Sequence, residues 1–373
     1  MKITLKRTPE QVELIKAMAS KNRSVAYEAQ VALAEFIGPV LAEVINNAPT
    51  LSNLFTTLQF NADDNPSIPL DLYYDITDED YIHVYSQAVA GGLPQNQVLP
   101  TASEMKIATY TLDSALSFDR RYAAKSRMDV VSKTFTRMAQ EILLKQEKTS
   151  ANLILTALAN ATTNGKDHII NAGTSGRFLL NDLNRLFTLA KRINTSFNKG
   201  TPVSRSSRGL TDLIVSPEVV QELRAMAYNP INTKGSPAGG TPTDGIAAPE
   251  DMRTAIYNSA GIPEFYGVSI MEANELGVGQ KFNTIFGAVA SAGSTTAQTF
   301  NTNKEIIIGL DRTRDSLIRA VAVDSENGSE FSLTADDQYS IRQNKIGYFG
   351  SLEEGRMVLD NRALVGVIAT GLA

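Results

Sequence analysis

The sequence contains no cysteine and no tryptophan, and only two histidines, His83 and His168. Without cysteine there are no disulfides, no thiolate catalysis and no cysteine-ligated zinc. Neither histidine belongs to a pattern such as H-E-x-x-H, so each reads as an ordinary surface or partly satisfied residue. Long apolar runs are missing too, so nothing of about 18 residues is available to span a bilayer. The opening "MKITLKRTPEQ" has neither the apolar core nor the small-residue cleavage site of a signal peptide. These absences predict a soluble protein made in a cytosol, with no membrane partner.

Motifs that carry chemistry are also lacking. There is no G-x-S-x-G and no G-x-x-x-x-G-K-[ST]; the pair Gly165-Lys166 is followed by Asp167. "GVG" at Gly277–Gly279 lacks the third glycine of a dinucleotide loop and is read as lacking its strand-then-helix setting. "DITDEDY" (Asp75–Tyr81) offers carboxylates to a hard cation but lacks the glycine and distal glutamate of a calcium loop, so it reads as a solvated acidic turn. No catalytic residue, cofactor or metal site is therefore predicted.

What is present is a 373-residue chain with 43% hydrophobic and 20% charged residues, enough to bury a core. The length suits two or three domains, or one fold with long excursions. A net charge of −5 argues against a general nucleic-acid binder. That total conceals an asymmetry. Residues 51–119 carry ten acids and one lysine, a net of −9, whereas residues 120–208 carry sixteen bases and five acids, a net of +11. Either the surface segregates by sign, or one segment is built to lie against the other.

The opening predicts a helix, with Thr8 as N-cap, Pro9 at the first position and Gln11 completing a capping box. A second apolar segment runs to Ile45 with Leu33, Ile37, Leu41 and Val44 on one face, and Gly38-Pro39 should bend or interrupt it. This stretch is too thin for a core and reads as an arm that packs on something else. From Leu54 the apolar period changes to two. "SIPLDLYY", "YIHVYSQAV" and "MKIATYTLDSALSF" are expected strands around the turn-rich "AGGLPQNQVLP", giving a long acidic two-stranded excursion. Alone, such a ribbon is marginal in water.

Residues 127–161 then predict one helix about 50 Å long, with Met128, Val131, Phe135, Met138 and Ile142 on one stripe. A shorter helix is expected in "FLLNDLNRLFTLAKRI", followed by the basic loop "NKGTPVSRSSRG". "LTDLIVSPEVVQELRAM" reads as strand, then helix, with Ser216 as N-cap and Pro217 at its first position. Residues 229–250 are dense in Gly, Pro and Thr and read as an exposed loop. "GIPEFYGVSIMEA" and "FNTIFGAVA" are expected strands of a mixed core. "KEIIIGLDR", "LIRAVAVDS", "FSLTADDQYSIRQNKIGYFG" and "ALVGVIAT" have strand composition.

Taken in order, these segments resemble the HK97-fold major capsid proteins of tailed bacteriophages. "VAGGLPQNQ" looks like the tip of their extended E-loop. "YTLDSALSFDRRYAAKSRMDVV" looks like the strand that feeds their spine helix, "LIVSPEVVQEL" like the entry to their axial domain, and "KEIIIGLDR" onward like their closing strands. The resemblance implies an α+β fold. Its parts would be an N-terminal arm over 1–50, an E-loop over 51–119, a peripheral domain with the spine helix over 120–208, an axial domain over 209–305, and closing strands over 306–373.

The function so implied is a shell subunit forming hexamers and pentamers of an icosahedral head around double-stranded DNA. It would be assembled in the host cytoplasm with a portal, a decoration protein and a separate scaffolding protein. The short segment before the hairpin leaves no room for a built-in scaffolding domain unless the chain was trimmed, and Met1 argues for an untrimmed start. The acidic residues Asp75, Asp78, Glu79 and Asp80, with Lys106, are expected to lie against Arg120, Arg121, Lys125 and Arg127 of an adjacent copy. Some relatives weld subunits through a lysine and an asparagine aided by a glutamate; Lys106, Asn361 and Glu353 or Glu354 are the corresponding candidates, although composition alone would place such residues there. "KGTPVSRSSR" is a candidate DNA-facing segment. Two alternatives stay open: an encapsulin-like nanocompartment shell, and a soluble α+β enzyme or binding protein using residues 229–250 as a lid.

Overall fold

A computed structural model describes residues 8–46, 48, 50–61, 65–69, 104–163, 165–193, 209–228, 264–265, 267–323, 330–336 and 343–372. Its helices are α1 (Pro9–Met18), α2 (Arg23–Asn46), α3 (Arg120–Ala124), α4 (Met128–Ala159), α5 (Leu180–Ile193), α6 (Pro217–Tyr228) and α7 (Lys281–Ala290). Its strands are β1 (Thr56–Asn61), β2 (Ser67–Pro69), β3 (Glu104–Lys106), β4 (Thr109–Asp119), β5 (Thr162–Thr163), β6 (Lys166–Asp167), β7 (Ile169–Asn171) and β8 (Asp212–Val215), then β9 (Glu264–Phe265), β10 (Val268–Glu272), β11 (Lys304–Leu310), β12 (Leu317–Val323), β13 (Ser332–Asp336), β14 (Lys345–Val358) and β15 (Leu364–Thr370). The mixture is α+β. It divides into two units, one of Met1–Ile68, Met105–Ser150 and Leu317–Met357, the other of Pro69–Glu104, Ala151–Ser316 and Val358–Ala373.

In the first unit the sheet runs β1-β12-β14-β13, and β4 also pairs with β14. β1 is parallel to β12, from Thr56 opposite Ile318 to Asn61 opposite Val323. β4 and β14 form an antiparallel ladder from Asp119 opposite Lys345 to Thr109 opposite Gly355. Both ends of the segment read as an excursion thus belong to the core sheet. A strand that alternates apolar and polar residues needs a buried face, and this sheet supplies one. β2 and β3 form a separate two-stranded ribbon; the remainder of the expected hairpin lies outside the described residues.

Helix α4 lays the expected stripe on this sheet. Met128, Val131, Phe135, Met138 and Ile142 are buried in one cluster with Leu112, Phe118, Val321, Phe331, Ile346, Tyr348 and Leu352. The Phe135 ring meets Tyr348 edge-on at 5.3 Å. Each such side chain contributes about 1.5–3 kcal/mol on burial. The arm joins the same core through Ile15, Met18, Leu33, Ile37, Leu41 and Ile45. Thr8 caps α1 through Oγ1, which accepts from the Gln11 amide at 3.4 Å. Of the expected bend or interruption at Gly38-Pro39, the interruption does not occur: α2 continues to Asn46 with Pro39 inside it. Pro39 is on the exposed side, where water can satisfy the carbonyl one turn back that lost its donor.

The second unit is built on a six-stranded sheet in the order β7-β15-β11-β8-β10-β9. Its near-continuous apolar strands suit a sheet covered on both faces. Leu183, Leu186, Ala190 and Ile193 of α5 and Val219, Val220 and Leu223 of α6 pack with Leu213, Val215, Ile307, Val365 and Val367. Ser216 caps α6 as expected, its Oγ accepting from the Val219 amide at 3.2 Å.

Two expectations are corrected in this unit. "FNTIFGAVA" is not a strand but helix α7, with Phe282, Phe286 and Ala290 buried at helical spacing. "GVG" does sit between a strand and a helix, β10 and α7; Gly277 (φ +122°) and Gly279 (φ +77°) supply turn conformations that other residues rarely adopt. In the first unit, "FSLTADDQYSIRQNKIGYFG" contributes two antiparallel strands, β13 and β14, rather than one run. The loops at 194–208 and 229–250 lie outside the described residues.

Candidate functional site

The most heavily bonded polar cluster in the first unit grows from β14. Its alternation sends Leu352, Glu354 and Arg356 to the buried face. Tyr110 stands directly opposite Glu354 in the ladder, and Arg319 comes from β12. From α4, Gln146 and Ser150 arrive one turn apart on the same face.

Glu354 is fully buried and accepts from five donors. Its Oε1 takes Tyr110 OH at 2.8 Å and Arg356 Nε at 3.2 Å. Its Oε2 takes Arg319 Nε at 2.9 Å, Gln146 Nε2 at 3.0 Å and Arg356 Nη2 at 3.1 Å. Arg356 also donates to Ser150 Oγ, and its guanidinium lies 5.3 Å from the centre of the Phe55 ring. Arg319 Nη1 donates to Asn46 Oδ1 at 3.2 Å, and Asn46 in turn donates to Glu330 at 2.9 Å. Burial raises the Glu354 carboxyl, but Arg356, Arg319 and the hydrogen bonds outweigh it and hold the group below the ordinary glutamate value. Tyr110 is pushed up to about 12, by burial first and then by the Glu354 charge. This arrangement ties α4, α2 and three strands together.

The basic residues expected at a subunit contact divide into two kinds. Arg120 is spent within the chain, donating to the Ser20 carbonyl. Arg121 pairs with Asp119, the N-cap of α3, at 2.9 Å. Lys125 and Arg127 are exposed around the turn at Ser126 (φ 50°), and Lys106 is exposed on β3. Asp75, Asp78, Glu79, Asp80 and His83 lie outside the described residues. Of the two acids named for a crosslink, Glu354 is committed to its donors and Glu353 is half-buried.

In the second unit, Asn361 opens a 3-10 turn beside a buried histidine. His168 is wholly buried, not at the surface. Its Nδ1 lies 3.1 Å from the Asn361 carbonyl and 3.0 Å from the Leu364 carbonyl, and its Nε2 lies 2.8 Å from Thr163 Oγ1. Two carbonyls can only accept, so Nδ1 carries the proton and Nε2 accepts from the threonine. Burial lowers its pKa and favours this neutral form. Asp360 pairs with Arg314 at 2.6 Å and Arg362 at 3.0 Å.

Glu305 on β11 is 1% exposed. Its Oε2 accepts from Ser216 Oγ at 3.1 Å. Burial pushes the carboxyl up to about 7, opposed by the Ser216 bond and reinforced by Glu218. A half-open cavity of about 330 Å³ is lined by Gly279, Asn283, Thr284, Gly287, Phe300, Asn301, Thr302 and Lys304; its one cation, Lys304, donates to the Thr299 carbonyl at 2.7 Å. Among the described residues, no group of histidines and acids could hold a metal, and no helix is long and apolar enough to cross a membrane.

No family model matches the chain, and no curated protein matches it in sequence. Its structure is similar to the capsid of the Cyanophage P-SCSP1u, at 14% identity and a TM-score of 0.50, covering 87% of this chain and 88% of that one. The capsid of a native GTA particle is matched at 11% identity and a TM-score of 0.49, over 86% and 90% of the two chains. The holo-SrpI encapsulin complex from Synechococcus elongatus PCC 7942 is matched at 13% identity and a TM-score of 0.46, over 87% and 88%. The likeness to the cyanophage capsid, over most of both chains, shows a shared fold: the HK97-type architecture that the order of segments resembles.

Proposed function

We propose that this chain is the structural subunit of a virion shell, built into hexamers and pentamers of an icosahedral phage head around double-stranded DNA. One observation carries the reading: the fold is shared with a cyanophage capsid over 87% of the chain. The Glu354 cluster suits it, because its buried ionic groups are bonded to one another and brace elements of the first unit. On this reading the two units hold the five segments from arm to closing strands. The hairpin acids Asp75, Asp78, Glu79 and Asp80 lie over Arg121, Lys125 and Arg127 of a neighbour, supported by the opposite charges of the two segments and by the exposure of those three bases. A separate scaffolding protein, a portal and a decoration protein complete the head in the host cytoplasm. Electron microscopy of the purified chain tests the proposal. Hollow closed particles of uniform size are expected, and a chain that stays monomeric under all assembly conditions overturns it. Contents decide between a head and a nanocompartment: nuclease-protected DNA supports the first, a co-purified cargo protein the second.

A further inference from the structure

Four of the exposed large hydrophobic residues lie on α2: Val25, Tyr27, Phe36 and Val40. At 100° per residue, Val25, Glu28, Glu35, Phe36, Val40 and Glu43 fall within one face about 140° wide. All six are exposed, Phe36 at 53%. That face is apolar and acidic at once. Helix α4 carries its counterpart. Lys133, Arg137, Gln140, Leu144 and Lys148 are exposed and share a row about 80° wide. Leu144, 64% exposed, is the most exposed of these large hydrophobics.

The two faces match in length as well as charge. Glu28 to Glu43 and Lys133 to Lys148 each span about 22 Å at 1.5 Å per residue. Within one subunit both helices bury their inward faces in the same cluster, through Leu33, Ile37 and Leu41 on one side and Val131, Phe135 and Met138 on the other. Their outward faces are therefore left out of that cluster, exposed and available to a neighbouring copy.

We propose that the outward face of α2 in one copy docks on the outward face of α4 in a neighbouring copy. Phe36, Val40 and Leu144 form the apolar centre, and Glu28, Glu35 and Glu43 oppose Lys133, Arg137 and Lys148. Apolar side chains at the middle supply the driving force, and the charges set partner and register. The contact deepens the shell reading and rests on it. It is separate from the ribbon contact, which uses bases on α3 and the turn after it.

Charge reversal tests the pairing. The triple variant Glu28→Lys, Glu35→Lys, Glu43→Lys and the triple variant Lys133→Glu, Arg137→Glu, Lys148→Glu are each expected to lower particle yield roughly tenfold at moderate salt. The six-fold combination, and an equimolar mixture of the two triples, are expected to restore it. Circular dichroism identifies any variant that has not folded. Triples that assemble like the wild type overturn the inference, as does a folded mixture that forms no particles. Absence of particles from the wild type sinks the shell reading instead. In that case sedimentation must still show salt-sensitive self-association that each triple loses, and monomers throughout overturn this contact as well.

Discussion

Glu305 and Glu354 are both buried carboxyls, yet only Glu354 has arginines beside it, so the two titrate in opposite senses. Folding raises Glu305 from 4.5 to about 7, and the folded chain holds the extra proton between those values. Its contribution is complete below about pH 4.5 and declines as pH rises to 7, at about 1.4 kcal/mol per pH unit. Glu305→Gln removes this dependence and is expected to stabilise the unassembled subunit by about 2–3 kcal/mol at roughly pH 8, with little change near pH 5, as read by urea unfolding. Folding lowers Glu354, so its contribution is present above the ordinary glutamate value and fades as pH falls through the lowered one. Glu354→Gln leaves two buried guanidinium groups facing a neutral amide. A loss of about 3–5 kcal/mol is expected in the same measurement at neutral pH.

The close crossing where the chain enters β4 depends on a residue with no side chain. A Cβ on Gly355 would stand 2.7 Å from the Ala108 carbonyl oxygen and 2.8 Å from Ile107 Cγ2. Backbone cannot swing aside as a side-chain tip can, so Gly355→Ala is expected to cost about 1–3 kcal/mol, measured as a lowered thermal midpoint of the unassembled subunit. Much at this scale was legible from local signals. The Thr8 and Ser216 caps, the stripe of α4 and the strand composition of the closing segment follow from short-range pattern, whereas the division of residues 331–350 between β13 and β14 does not. "FNTIFGAVA" was misread because phenylalanine, isoleucine and valine favour strands, while tertiary packing fixed the helical spacing of Phe282 and Phe286. The Glu354 cluster was not legible, because its partners Tyr110, Gln146 and Arg319 meet only after the sheet and helix have formed. The two-residue spacing of Glu354 and Arg356, which puts them on the same side of β14 as Leu352, was a local hint.

For the whole molecule, the proposed ribbon contact makes a prediction of its own. Replacing Asp75, Asp78, Glu79 and Asp80 together by their amides is expected to lower the rate of particle formation several-fold at low salt and much less at high salt, followed by light scattering. Unchanged kinetics at low salt would remove that contact without touching the fold. The architecture itself was readable from the order of segments. The pairing of faces between copies was not, because a sequence does not show which sides of a helix are already covered.

On the proposed reading a packed head would push outward on its wall, and the β4–β14 ladder would resist that load differently in different directions. Tension applied at Thr109 and Lys345, at opposite ends of the ladder, would load all eleven residue pairs together. The same tension at Thr109 and Gly355, which face each other at one end, would peel the strands apart pair by pair. How well each subunit of such a shell would resist rupture therefore depends on which end of the ladder its neighbours hold.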